Sequence, residues 1–167
     1  MESMSAVAFA ALVVGFVVFR QLRARPFRPV AALITPAVFG LLGIAGLAFG
    51  VASVVKVHPL TVLSIVLLAA SFVAAVVLGA LRAGTVRLWR DGSGRLLRKG
   101  TAFTTGCWVL SFGVHWAFGL WIDHADGTGL LGTASLYAYI AFGLSAQALL
   151  LRRRAPALEA LGSFRSA

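Results

Sequence analysis

"LTVLSIVLLAASFVAAVVLGAL", residues 60–81, runs directly into "RAGTVRLWRDGSGRLLRKGT", residues 82–101. The first stretch carries no charge over 22 residues. At 1.5 Å per residue a helix of that length is about 33 Å long, enough to cross a hydrocarbon core of about 30 Å. Lipid offers no hydrogen-bond partners, so a spanning segment must pair its backbone internally, and a single run does this only as a helix. The second stretch is the most polar in the chain and holds Arg82, Arg87, Arg90, Arg95, Arg98 and Lys99. A greasy helix ending in a compact basic segment reads as an all-α integral membrane protein.

The composition agrees. Of 167 residues, 60% are hydrophobic and 12% charged, and the mean hydropathy is +0.94. Soluble domains are roughly half apolar and a quarter charged, so this chain has too little polar surface to coat a water-soluble globule. Four more apolar runs flank the first. The reading is one five-helix membrane domain over residues 1–155, with spans at about 4–19, 30–55, 60–81, 102–122 and 130–151, and a short tail at 156–167. The run at 4–19 follows Glu2 and precedes Arg20, the reverse of a signal peptide's charge order, so it reads as an uncleaved helix. Pro36 is expected to kink the second span, and Arg152, Arg153 and Arg154 to end the fifth.

Counting Lys and Arg between runs gives four, one (Lys56), six, none and three. That alternation is what the positive-inside rule requires of five spans. It places the N-terminus outside and the C-terminus in the cytoplasm of a multi-pass cell-membrane protein. Arg supplies 13 of the 15 basic residues, which with the Ala, Gly and Val richness suggests a bacterial inner membrane. The net charge of +10 lies in short blocks, the pattern of topology and anionic headgroups and not of nucleic-acid recognition.

Two basic segments stand out. Arg20, Arg23, Arg25, Pro26, Arg28 and Pro29 form a topogenic elbow after the first run, extended because proline disfavours helix before it. In the segment that follows the third run, Asp91-Gly92 signals a tight turn between two strand-like pieces. This predicts a cytoplasmic β-hairpin on the membrane surface. Trp89 is expected at headgroup depth, with Arg82, Arg87, Arg90, Arg95, Arg98 and Lys99 facing anionic lipid or a membrane-protein partner.

The same two segments resemble the bacterial CcdC-like membrane proteins. Arg25 and Pro26 match that family's Arg-Pro elbow. Gly84, Thr85, Arg87, Trp89, Gly94, Arg98 and Gly100 match its Gly-Thr-x-Arg-x-Trp segment with a glycine-bearing turn. The resemblance covers about residues 10–150. It implies an association with cytochrome c biogenesis, in a family whose biochemical activity is unassigned. Dithiol exchange is not expected, because Cys107 is the single cysteine.

His115 is the one histidine well inside an apolar run, and an ionisable residue in a membrane span is a functional candidate. It is the residue on which a haem-linked or redox reading rests, with His58 and His124 near the same face if the fourth helix ends near Asp123. Cys107 stands eight residues before His115, about 12 Å along a helix, too far for a Cys–His nucleophile pair. No carboxylate occurs within an apolar run, which weakens a transporter reading. Small residues recur on helix faces: Ala11 and Gly15; Gly46 and Gly50; Ser71, Ala75 and Gly79; Gly106 and Gly113. Such faces let helices approach closely, within the bundle or between copies in a homo-oligomer. Tyr137, Tyr139, Ser145 and Gln147 offer hydrogen bonds. No catalytic set is legible, so a non-enzymatic accessory or scaffold component leads, followed by the haem-linked reading and then a small transporter.

Overall fold

The computed structural model describes residues 19, 22–57, 59–127 and 130–163, excluding the side chains of Asp126 and of residues 156–163. A short strand β1 (Arg25–Pro26) and a 3-10 turn (Ala31–Leu33) lead into α1 (Ile34–Val55). Then come α2 (Val62–Thr85), β2 (Arg87–Arg90), β3 (Leu96–Lys99), α3 (Ala102–Asp126), a single turn α4 (Leu131–Ala134) and α5 (Leu136–Ser163). Four helical stretches are long and apolar enough to cross a membrane: Ala31–Val55, Val62–Thr85, Ala102–Ala125 and Leu131–Ala155. They coincide with the second to fifth expected spans. Residues 4–18 of the first expected span, with its Ala11 and Gly15 face, Arg20 and His58 lie outside the described residues.

α5 packs against both α1 and α2, and α2 also packs against α3. The small residues make this possible. A methyl added at Gly43 would stand 2.6 Å from the Ala138 Cα, so α1 and α5 touch backbone to backbone there. At Gly79 the clash would be with the Gly143 carbonyl, which fixes the α2–α5 crossing. Ser71, Ala75 and Gly79 are all buried, as the four-residue spacing predicts. Gly106 and Gly113 are different, since nothing lies within 4 Å of a methyl at either.

Helix ends follow local chemistry. Thr61 caps α2, its Oγ1 accepting from the Ser64 N–H at 3.1 Å. Thr101 and Thr104 form a reciprocal capping box that starts α3. Pro36 stands in the first turn of α1, where an N–H has no helical partner anyway, so proline is accommodated there. Two expected ends are corrected. α3 does not stop at residue 122 but continues through Asp126, where Gly127 takes a left-handed φ of 64° and caps it. Arg152–Arg154 do not end the last helix, which runs on to Ser163.

Candidate functional site

The expected hairpin is present, as part of a larger element. β2 and β3 pair antiparallel, with Leu88 opposite Arg98 and Trp89 opposite Leu97. β1 adds to the other edge of β3, with Arg25 opposite Arg98 and Pro26 opposite Leu97. The elbow and the basic loop, read separately in the sequence, therefore form one three-stranded sheet in the order β1-β3-β2. The turn is one step longer than an Asp-Gly turn. The Asp91 carbonyl accepts from the Gly94 N–H at 2.9 Å, and Gly94, not Gly92, takes positive φ, at 80°. The Asp91 carboxylate accepts from Ser93 N, Ser93 Oγ, Arg95 N and Arg95 Nε at 2.6–3.0 Å. The Ser93 hydroxyl first, with the Arg95 and Ser93 donors, holds its pKa down at about 2.

Strand alternation gives the sheet two faces. Leu88 and Leu96 pack on a buried cluster of Phe27, Ala83, Val86, Leu151 and Ala155. This cluster joins the elbow, the end of α2 and the middle of α5. The Arg154 Nη1 donates to the Ala83 carbonyl. The Thr85 and Thr104 hydroxyls meet at 2.8 Å, joining the last turn of α2 to the first of α3. Through these contacts the elbow, the hairpin and the residues after the fifth span converge on one end of the bundle. Protein contacts, and not charge alone, hold the sheet there.

The other face carries Arg87, Trp89, Leu97 and Lys99. Arg87, Trp89 and Lys99 of this face, with Thr85, Thr101, Phe103 and Arg154, line an open groove of about 850 Å³. Arg87 and Lys99 are exposed and Trp89 is half-buried. Arg90, Arg95 and Arg98 are exposed, with Arg98 also over the Phe27 ring at 5.8 Å. Arg23 lies over Phe19, and Arg28 and Pro29 are exposed. Phe27 and Phe103 also belong to this end and carry no signal in the sequence, and Arg154, expected to end the fifth span, lies here inside α5.

Arg82 departs from expectation. It does not share the surface with Arg87 and Lys99, because α2 continues to Thr85 and keeps Arg82 on its inward face. It is 1% exposed, the largest fully buried side chain among the described residues. Its guanidinium stacks on Trp108 at 3.9 Å from the ring centroid. Its Nη2 fills the space that a methyl at Gly143 would need. Nε and Nη1 have no hydrogen-bond partner. Beside it, a 10 Å³ void is lined by Trp108, Ser111, Phe112, Tyr139 and Ile140. The spacing Ser71, Ala75, Gly79, Arg82 places the arginine on the small-residue face, and that periodicity was legible.

His115 is buried and lies in the same helix interface. Its ring meets Tyr139 at 4.6 Å between centroids, and its Nδ1 has no partner. The Tyr139 hydroxyl donates to the Ser111 carbonyl at 2.9 Å. His124 stands nine residues further on the same unbroken helix and is exposed. Nine residues at 100° each is a half-turn remainder, so the two histidines face opposite ways. The expected helix break between them is absent. Among the described residues, no group of three His, Cys, Asp or Glu side chains gathers as a metal site would need. Cys107 is buried as a free thiol, Tyr137 is exposed, and the Gln147 Oε1 is buried without a partner.

Comparison with known protein families, with curated proteins and with solved structures finds no match to this chain.

Proposed function

We propose that this is a non-enzymatic accessory or scaffold protein of the bacterial inner membrane that presents a basic cytoplasmic platform. One observation carries the reading. Segments 60 residues or more apart in the chain are gathered into a single three-stranded sheet at one end of the bundle, with most of their basic side chains exposed. A loop serving only to set topology needs charge, and does not need strand pairing or a buried cluster beneath it. The alternation of basic and non-basic connections supports placing this end in the cytoplasm, as does the CcdC-like resemblance of the two segments that build it. The partner is a membrane protein with an acidic surface, or a second copy of this chain.

The test is a photo-crosslinking residue placed at Arg95, on the sheet tip, in cells. A discrete protein adduct is expected. It should disappear when Arg90 and Arg98 are changed to Gln with membrane abundance unchanged. If no discrete adduct forms at any sheet position, the scaffold reading is refuted. The haem-linked alternative draws on the unpartnered His115 Nδ1, and a Soret band in protein purified in mild detergent would favour it.

A further inference from the structure

We infer that the groove between the sheet and the first turn of α3 is a binding site for the phosphate of an anionic phospholipid headgroup. This rests on the reading of the sheet end as a basic platform and names one ligand for it. Four features support it. The groove, at about 850 Å³, falls within the range of small-ligand sites. Three basic side chains converge on it from different elements: Arg87 from β2, Lys99 from β3 and Arg154 from α5. The Arg154 guanidinium is held in place by its bond to the Ala83 carbonyl, so one charge is positioned before any ligand arrives.

The third feature is the start of α3. The capping box occupies the N–H groups of Thr101 and Thr104. The helical ladder begins at Thr105, whose N–H donates to the Thr101 carbonyl at 3.1 Å. The N–H groups of Ala102 and Phe103 come before that ladder, at the positive end of a 25-residue helix, and Phe103 and Thr101 line the groove. Helix starts of this kind favour anions.

The fourth feature selects a lipid over a free anion. Phe103 is 66% exposed at the first turn of a membrane-spanning helix, and Val109 and Leu110 below it are exposed too. A phosphate seated against Arg87 and Lys99 would have its acyl chains alongside these side chains. Trp89, half-buried in the groove wall, suits the headgroup layer, where amphipathic rings concentrate. A soluble phosphate would leave this apolar flank unused.

The experiment uses the full chain purified in a zwitterionic detergent, with phosphatidylglycerol and phosphatidylcholine of identical acyl chains titrated against it by native mass spectrometry. Phosphatidylglycerol is expected to bind preferentially. The double variant Arg87→Gln/Lys99→Gln should lose about 30-fold of that preference, about fivefold for each basic residue removed. Both side chains are exposed, so folding is expected to be unchanged, and a matched melting curve checks it. Inorganic phosphate at millimolar concentration should not compete. If the double variant keeps the preference while Arg90→Gln/Arg95→Gln/Arg98→Gln loses it, the platform binds lipid but the groove is not the site. Competition by inorganic phosphate would overturn the lipid assignment. No preference in the wild-type chain would overturn the site, leaving the protein-partner reading to its own test.

Discussion

Changing Arg82 to Met should make this protein more stable. The guanidinium is 1% exposed, and its Nε and Nη1 make no hydrogen bond. An unmade bond to a buried donor costs about 1–3 kcal/mol, so two cost about 2–6 kcal/mol. Against this stands the stack on Trp108 at 3.9 Å, worth up to about 2 kcal/mol when desolvated. The nearest described carboxylate on α3 is Asp123, 15 residues beyond Trp108, about 22 Å away along the axis. Met keeps the unbranched stem and removes the charge. The balance runs from neutral to a gain of about 4 kcal/mol, in line with the replacement of buried ionic groups by apolar residues of similar volume. Arg82→Ala should do the opposite, losing about 2–5 kcal/mol, because it empties the space against Trp108 and Gly143. The assay is thermal unfolding of the two variants in one detergent, followed by size-exclusion recovery. If Met destabilises as much as Ala, the charge is compensated in the native state and the accounting is refuted. If Met stabilises, Arg82 is retained at a cost to stability, and a phenotype of the Met variant would show what the charge is for.

Three further outcomes are expected. Gly43→Ala should cost about 1–3 kcal/mol of stability, because its methyl meets the Ala138 backbone at 2.6 Å, whereas Gly40→Ala on the same helix meets nothing within 4 Å and should be neutral or gain up to about 1 kcal/mol; equal effects in a melting assay would contradict the α1–α5 packing. The Asp91 carboxyl, held at about 2, contributes to the turn above the unfolded-state value of about 4 and loses that contribution as pH falls through about 2, so the Ser93 and Arg95 amide resonances should move together near the lower pH, and a midpoint near the upper one would contradict the four-donor cradle. His115→Gln should preserve membrane abundance and melting temperature within about 1 kcal/mol, since Gln can still hydrogen-bond across helices; lost function at normal abundance would promote the haem-linked reading.

Sequence alone located the four described spans and the hairpin, because hydropathy and turn chemistry are local. It could not pair the elbow with the hairpin. Arg25 and Arg98 are 73 residues apart, and two arginines facing each other across strands are not a pairing that side-chain preference selects. What brings them together is Phe27, buried under the sheet with Val86 and Leu151, and one phenylalanine in a basic loop carries no period to detect. The helix ends are hidden in the sequence for a related reason. Asp123, His124 and Asp126 look like loop by composition, yet Gly127 supplies a left-handed cap, and the Asp123 carboxylate is used by the Gly132 N–H at 2.7 Å. Capping geometry, and not polarity, decides where the helix stops. Arg82 is near the other basic residues along the chain but on the opposite, buried side around the helix.

The two ends of the bundle differ in a way that bears on function. At the end near Asp123, the one described carboxylate accepts a backbone N–H from the start of α4, which is a structural use of its charge. At the sheet end, beneath the Asp91 turn, most of the packing uses uncharged groups. Hydroxyls, aliphatic groups and Arg154 perform the structural work: Thr85 with Thr104, the capping box, the Phe27 cluster and the bond to the Ala83 carbonyl. Arg87 and Lys99 are opposed across the strands, an arrangement of like charges that costs stability. A fold that needed these two residues only for topology could place them anywhere in the loop. Their fixed position on one wall of a groove, facing a third charge on α5, is what an anion would repay. The like-charge pair also gives the groove a sign for its own test: binding of an anionic headgroup should raise the melting temperature of the wild-type chain more than that of the Arg87→Gln/Lys99→Gln variant, and equal rises would place the lipid elsewhere.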